Sequence, residues 1–269
     1  MAAHVEEAAF RPEWATAAYW LRFAPTLHIT DAGFLARGRT PFFINPATVR
    51  QGLIQDGFFE LAPPEDDGLF EDGGGWGLDV AELGKAMVAL GAGGWPPVYA
   101  LVFDEVWVLR ARLGAALNAA CGLEANFDFA AFHVRAGGQA QALGAGWAPH
   151  RDRDDASHAG AIGEGFGADG APRCATLWVA LSDATPATSC LYCVPKGRDP
   201  GYAAGDGGRN PLEGCFSGGP GSFRHVRALP TPAGGALAFS HRLLHWGSAP
   251  DERAPPRLAV AFGARDAGF

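Results

Sequence analysis

Hydrophobic residues recur along this chain in two rhythms, and the change falls near Gly122. Before it the spacing is helical. Phe10, Trp14 and Ala17-Ala18 share one face of a predicted helix over 6–23. Pro46, behind Asn45 as a cap, opens a second helix with Val49, Leu53 and Ile54, and Asp56-Gly57 stops it. Residues 58–61 read as extended. Two more helices are predicted over 78–91 and about 98–121, the latter with Val102, Val106, Leu109, Leu113 and Leu117 at core spacing. After Gly122, short apolar or alternating runs stand between Gly and Pro clusters. Those at 126–135, 174–182, 189–194, 222–229, 236–240 and 257–263 read as strands. The segments 62–77, 153–172 and 197–221 read as loops, the last two long enough to be functional lids or disordered. The pattern predicts one domain over 1–269: a helical N-terminal cover over about 1–122 and a β barrel or sandwich over about 123–269.

Composition narrows the picture. The 269 residues are 48% hydrophobic and 19% charged, which supports a core and argues against a disordered chain. A formal net charge of −8 disfavours nucleic acid as a partner. Five cysteines make an odd number without a disulfide framework. Cys190 and Cys193 form a C-x-x-C within an apolar run. Positions three apart on a strand face opposite sides, so buried reduced thiols are expected there rather than a redox pair. The N-terminal residues are acidic and lack an apolar core, so no signal peptide is expected, and no run approaches a membrane span. The expectation is a cytoplasmic protein without a membrane partner, monomeric because no coiled-coil stripe appears.

The candidate chemistry lies in three places. His150-Arg151-Asp152 puts an imidazole and a carboxylate two positions apart, on one side of an extended segment, with Arg151 pointing away. A lone His-x-Asp is common by chance. His245 follows 95 positions after His150, and Arg257 another 12 on, at the head of an apolar strand. Two imidazoles and one carboxylate on one face of a metal, with open positions opposite, form the donor set of non-haem Fe(II) oxygenases. Arg257 shares its strand face with the small Ala259 and Ala261, leaving room for an anion, and a guanidinium suits a dicarboxylate. His241 competes with His245 for the ligand role. His133 reads as a core or barrel-lining residue.

These residues resemble the phytanoyl-CoA dioxygenase family of Fe(II)/2-oxoglutarate oxygenases. His150-Arg151-Asp152 matches its metal motif, 176–185 its central strand and turn, 190–195 its next strand, 235–239 and 244–248 the distal-His segment, and Pro256-Arg257 its 2-oxoglutarate anchor. The similarity covers roughly 45–265. It departs at Thr188-Ser189 (usually Asn-Gly), at Lys196-Gly197-Arg198 (usually Gly-Ser-His), at Ala259 (commonly a hydroxyl residue) and in the extra Trp246. The resemblance implies a double-stranded β-helix (jelly-roll, cupin-like) core covered by helices. It also implies Fe(II) held by His150, Asp152 and His245, with 2-oxoglutarate and O2 as co-substrates and the distal carboxylate on Arg257 and Ser248. Related halogenases lack the carboxylate ligand, so retention of Asp152 favours hydroxylation of a small molecule, with release of succinate and CO2. Trp147, Arg151, Gln139, Gln141, Trp178 and Trp246 are the candidate substrate contacts. Three alternatives remain at this level: a metal-binding jelly roll that is not an oxygenase, an oxygenase of peptide or nucleic acid, and a non-catalytic interaction module.

Overall fold

The computed structural model describes residues 11–39, 44–63, 76, 78–137, 147–152 and 165–267. Within them the strands are β1 (Phe58–Leu61), β2 (Glu124–Val134), β3 (Cys174–Ala180), β4 (Leu191–Val194), β5 (Arg227–Leu229), β6 (Ala236–Ser240), β7 (Leu244–Gly247) and β8 (Arg257–Arg265). The helices are α1 (Ala17–Leu21), α2 (Ala32–Ala36), α3 (Pro46–Gln55), α4 (Val80–Ala92), α5 (Asp104–Cys121), α6 (Gly201–Ala204) and α7 (Pro211–Phe216). A five-stranded sheet runs β1-β6-β3-β8-β2 and a three-stranded sheet β5-β4-β7. Every pairing is antiparallel. Two such sheets, packed face to face with helices on the outside of the larger one, make the jelly-roll core that the family resemblance implies.

The period of two explains the layering. Along β3 and β8, Ala175, Leu177 and Val179 with Leu258, Val260, Phe262 and Ala264 point outward, into a core shared with Leu83, Leu90, Leu109 and Leu113 of the helices. The alternate residues Trp178, Ala180, Ala259 and Ala261 point inward to meet Leu191, Cys193 and Leu229 of the small sheet. Both faces of these strands are therefore covered, which is why they read as near-continuous apolar runs.

Local signals account for most helix ends. Asn45 and Asp79 cap α3 and α4 by accepting from the amides of Ala47 and of Ala81 and Glu82. Gly122 ends α5 with a φ of 71°. Tertiary contacts override the pattern elsewhere. The expected helix over 6–23 is, in its described part, a 3-10 turn at Pro12–Ala15 and then α1, because extended Thr16 caps the second piece from Tyr19. The expected helix over 98–121 breaks at Phe103, which is extended and fully buried, while the Asp104 amide donates to His28 O. Asp104 and Glu105 then accept the amides of Thr30, Asp31 and His28, mooring the N-terminal segment to α5.

Three more expectations are corrected. The strand expected over 222–229 shrinks to β5, because Pro220–His225 is a 3-10 helix. The expected loop 197–221 carries α6 and α7. Cys190 precedes β4, so Cys190 and Cys193 do not face opposite ways. Both are buried free thiols between the sheets, and burial pushes Cys193 up to about 12. Most of 62–77 and of 153–172 lies outside the described residues.

Candidate active site

His150 and His245 meet through the backbone. Each amide donates to the other's carbonyl at 3.0 Å, an isolated antiparallel bridge that joins the His150 segment to β7. Their rings lie 4.3 Å apart between centroids. Asp152 Oδ1 stands 3.7 Å from His150 Nε2 and 3.5 Å from His245 Nε2. Among the described residues these three form the group whose ligand atoms could hold one metal ion, all within 4.8 Å of one another.

The supporting bonds fix which atoms face inward. His150 Nδ1 donates to Ala148 O at 2.8 Å and His245 Nδ1 to Leu243 O at 3.0 Å. A carbonyl only accepts, so each Nδ1 carries the proton and each Nε2 presents a lone pair toward Asp152. Burial holds His245 below the ordinary imidazole range; Asp152 opposes that shift and His150 adds to it. The neutral ring is the form a metal needs. Thr176, on the inward face of β3, donates its hydroxyl to Asp152 Oδ2 and leaves Oδ1 for the imidazoles. Sequence reasoning placed Thr176 only within a strand segment. Its signal was its inward parity with Trp178, two positions on.

Arg257 is the second feature. It is 2% exposed, and its Nε and Nη1 have no hydrogen-bond partner among the described residues. Its Cζ lies 5.4 Å from the Trp178 ring and 5.8 Å from the Phe132 ring. Burial pushes the guanidinium down to about 10, so at neutral pH it is a charge without a counter-ion. A buried cation of this kind calls for an anion. His150, Asp152, His245 and Arg257 line one cavity of about 240 Å³, together with Trp147, Trp178 and Trp246. The donor set and the unpaired guanidinium fit Fe(II) and a dicarboxylate respectively.

Other expected contacts lie elsewhere. Arg151 is not at the cavity. Its side chain is fully buried and donates to Asp199 at 2.6 and 2.9 Å, to Asp206 at 2.7 and 2.9 Å, and to Arg242 O at 2.6 Å. It is a structural ion pair rather than a substrate contact. Ser248 turns its hydroxyl to Pro186 O at 3.4 Å, away from the cavity lining. His241 is buried, with Nδ1 on Cys174 O at 2.9 Å and its ring beside Phe166, so it serves the fold. Gln139 and Gln141 lie outside the described residues. Ser189, where the family usually has Gly, takes a φ of 72° and bonds Ser248 O at 2.5 Å. The turn keeps its left-handed residue despite the added side chain.

Two facing antiparallel sheets, a His-Asp-His triad suited to iron between them and a buried inward arginine agree with an Fe(II)/2-oxoglutarate-dependent enzyme on a jelly-roll core. The phytanoyl-CoA dioxygenase (PhyH) family model matches residues 99–253, more than half of the chain, and the chain belongs to that family. No curated protein sequence matches it. Solved structures share the fold at low identity. The epimerase SnoN in complex with Fe3+, alpha ketoglutarate and nogalamycin RO is 22% identical, over 88% of this chain and 85% of that one, with a TM-score of 0.53. AviO1 from Streptomyces viridochromogenes Tue57 is 17% identical, over 84% and 96%, with a TM-score of 0.52. EctD from S. alaskensis with 2-oxoglutarate and 5-hydroxyectoine is 17% identical, over 85% and 80%, with a TM-score of 0.52. Among the described residues no helix is long and apolar enough to cross a membrane.

Proposed function

We propose that the chain hydroxylates an unactivated C–H bond of a small organic molecule. The observation that carries this reading is the shared cavity of His150, Asp152, His245 and the unpartnered Arg257. The balanced reaction is substrate plus 2-oxoglutarate plus O2, giving alcohol, succinate and CO2. Bound Fe(II) with 2-oxoglutarate supplies the oxidant that removes the hydrogen. The protein's own work is positional. Thr176 and the two backbone carbonyls hold the three ligand side chains in register. Arg257, wedged between Phe132 and Trp178, takes the distal carboxylate and so orients the co-substrate. The surrounding indoles restrict water.

Anaerobic titration with Fe(II) and 2-oxoglutarate tests the assignment through the weak visible charge-transfer band. The band is expected in the native protein and lost in His245→Ala. Iron uptake without any band would defeat the 2-oxoglutarate reading, and absence of iron uptake would defeat the metal site. The outcome at carbon needs its own measurement, because SnoN, of similar fold, is named an epimerase. Product mass decides it: hydroxylation adds one oxygen atom, whereas epimerisation leaves the mass unchanged.

A further inference from the structure

We infer that Asp128 is a specificity-determining residue, and that it selects a substrate carrying a protonated amine. The inference rests on the oxygenase reading above. Once the metal and co-substrate are placed, the charges balance among the described residues of the cavity: Fe(II) and Arg257 against Asp152 and two carboxylates. Asp128 is the remaining charged residue among the described residues of the lining, and none of the described residues forms an ion pair with it.

The fold takes trouble to place it there. The pairing of β2 with β8 slips between Ala125 and Phe129, so four steps on β2 span two on β8, from Ala264 to Phe262. Arg110 pins this bulge by donating to Ala125 O and Asn126 O, and the Asn126 side chain accepts the Asp128 amide at 2.8 Å. Bulges beside active sites re-aim side chains. The receiving position is Gly263. A Cβ built there would stand 2.9 Å from Asp128 Cβ and 3.2 Å from its Oδ2, so the exposed carboxylate keeps its place in the cavity lining only because residue 263 is glycine.

Register gives the distances. Gly263 pairs with Thr176, which holds Asp152. Two strand spacings therefore place Asp128 about 10 Å across the sheet from Thr176. Six residues along β8 place it about 20 Å from the Arg257 backbone. The carboxylate thus sits at the metal end of the cavity, away from the co-substrate anchor. The small residues Ala130 and Ala261, paired across β2 and β8, line the cavity beside it, and Trp147 and Trp246 also belong to the lining. A carboxylate without an ionic partner suits an ammonium group and repels a carboxylate.

The test uses the protein loaded with Fe(II) and 2-oxoglutarate under argon, with three probes of one shape: benzylamine, benzyl alcohol and benzoate. Calorimetry is expected to show benzylamine binding about tenfold tighter than benzyl alcohol, with benzoate weakest. In Asp128→Asn the amine is expected to fall to the level of the alcohol, with the charge-transfer band unchanged. Equal binding of amine and alcohol, no binding of the amine, or a preference that survives Asp128→Asn would overturn the proposal. Loss of the band in the native protein would instead overturn the oxygenase reading, while the probe ranking would still report on Asp128.

Discussion

At the scale of single residues, Arg257 is the most exposed to test. A buried cation without a partner costs stability, and the cost is present at every pH below about 10, where burial has moved its titration. It is relieved only as pH rises through that value, because a base with a depressed folded pKa gains stability on losing its proton. Replacing it with Met removes the charge and keeps the stem. Arg257→Met is therefore expected to leave the ligand-free protein as stable as before or raise its melting temperature, by about 2–4 °C for each kcal/mol gained. The melting shift caused by 2-oxoglutarate, about 2.7 kcal/mol when the ligand is at a hundred times its Kd, is expected to vanish. A variant that keeps the shift would remove Arg257 from the co-substrate site. His150, Asp152, His245 and Arg257 were legible in the sequence because each carries its chemistry in its own type and spacing. Thr176 and Asp128 were not: Thr176 acts through Asp152, and its parity with Trp178 marks an inward face but no role, while Asp128 acts through a slip in register that leaves no mark in spacing.

Among elements, the ion-pair knot around α6 shows what a linear reading misses. Arg151, between two metal ligands, was expected at the substrate, and 197–221 was expected to be a loop. The partners Asp199 and Asp206 lie 48 and 55 positions away, beyond any periodic signal. Arg242, three residues before His245, donates to Tyr202 O at 3.1 Å and Gly201 O at 2.6 Å. One arginine from each ligand-bearing segment thus grips the same short helix. Two Asp against two Arg leave the knot neutral, which is what makes its burial tolerable. Breaking it from one side does not. Arg151→Ala strands two carboxylates and is expected to cost about 3–5 kcal/mol in urea denaturation. Amide exchange over 199–206 is expected to accelerate, and Fe(II) affinity to fall by about 10–100-fold, as for other losses of support behind metal ligands. Unchanged iron affinity with faster exchange would mean that the knot serves the fold alone.

For the whole molecule, the five-stranded sheet divides two functions between its faces. One face builds the core with the helices, and the other lines the cavity. The apolar runs in the second half announced a β fold, and the parity of Arg257 with Ala259 and Ala261 was readable in advance. The helical layer was readable as helices but not in its breaks, since Phe103 and Thr16 obey contacts formed only on folding. Neighbouring residues on β3 make the division measurable. Leu177 points to the helices and Trp178 to the cavity, and both are buried. Leu177→Ala is expected to cost about 2–5 kcal/mol of stability, through lost burial and a cavity, while the charge-transfer band persists at native metal and co-substrate affinity. Trp178→Ala removes a ring beside Arg257 and is expected to weaken 2-oxoglutarate binding as well as stability. Two adjacent positions would then separate the two properties. If both variants lost stability alone, the cavity face would be a second core, and the dicarboxylate site would have to lie elsewhere.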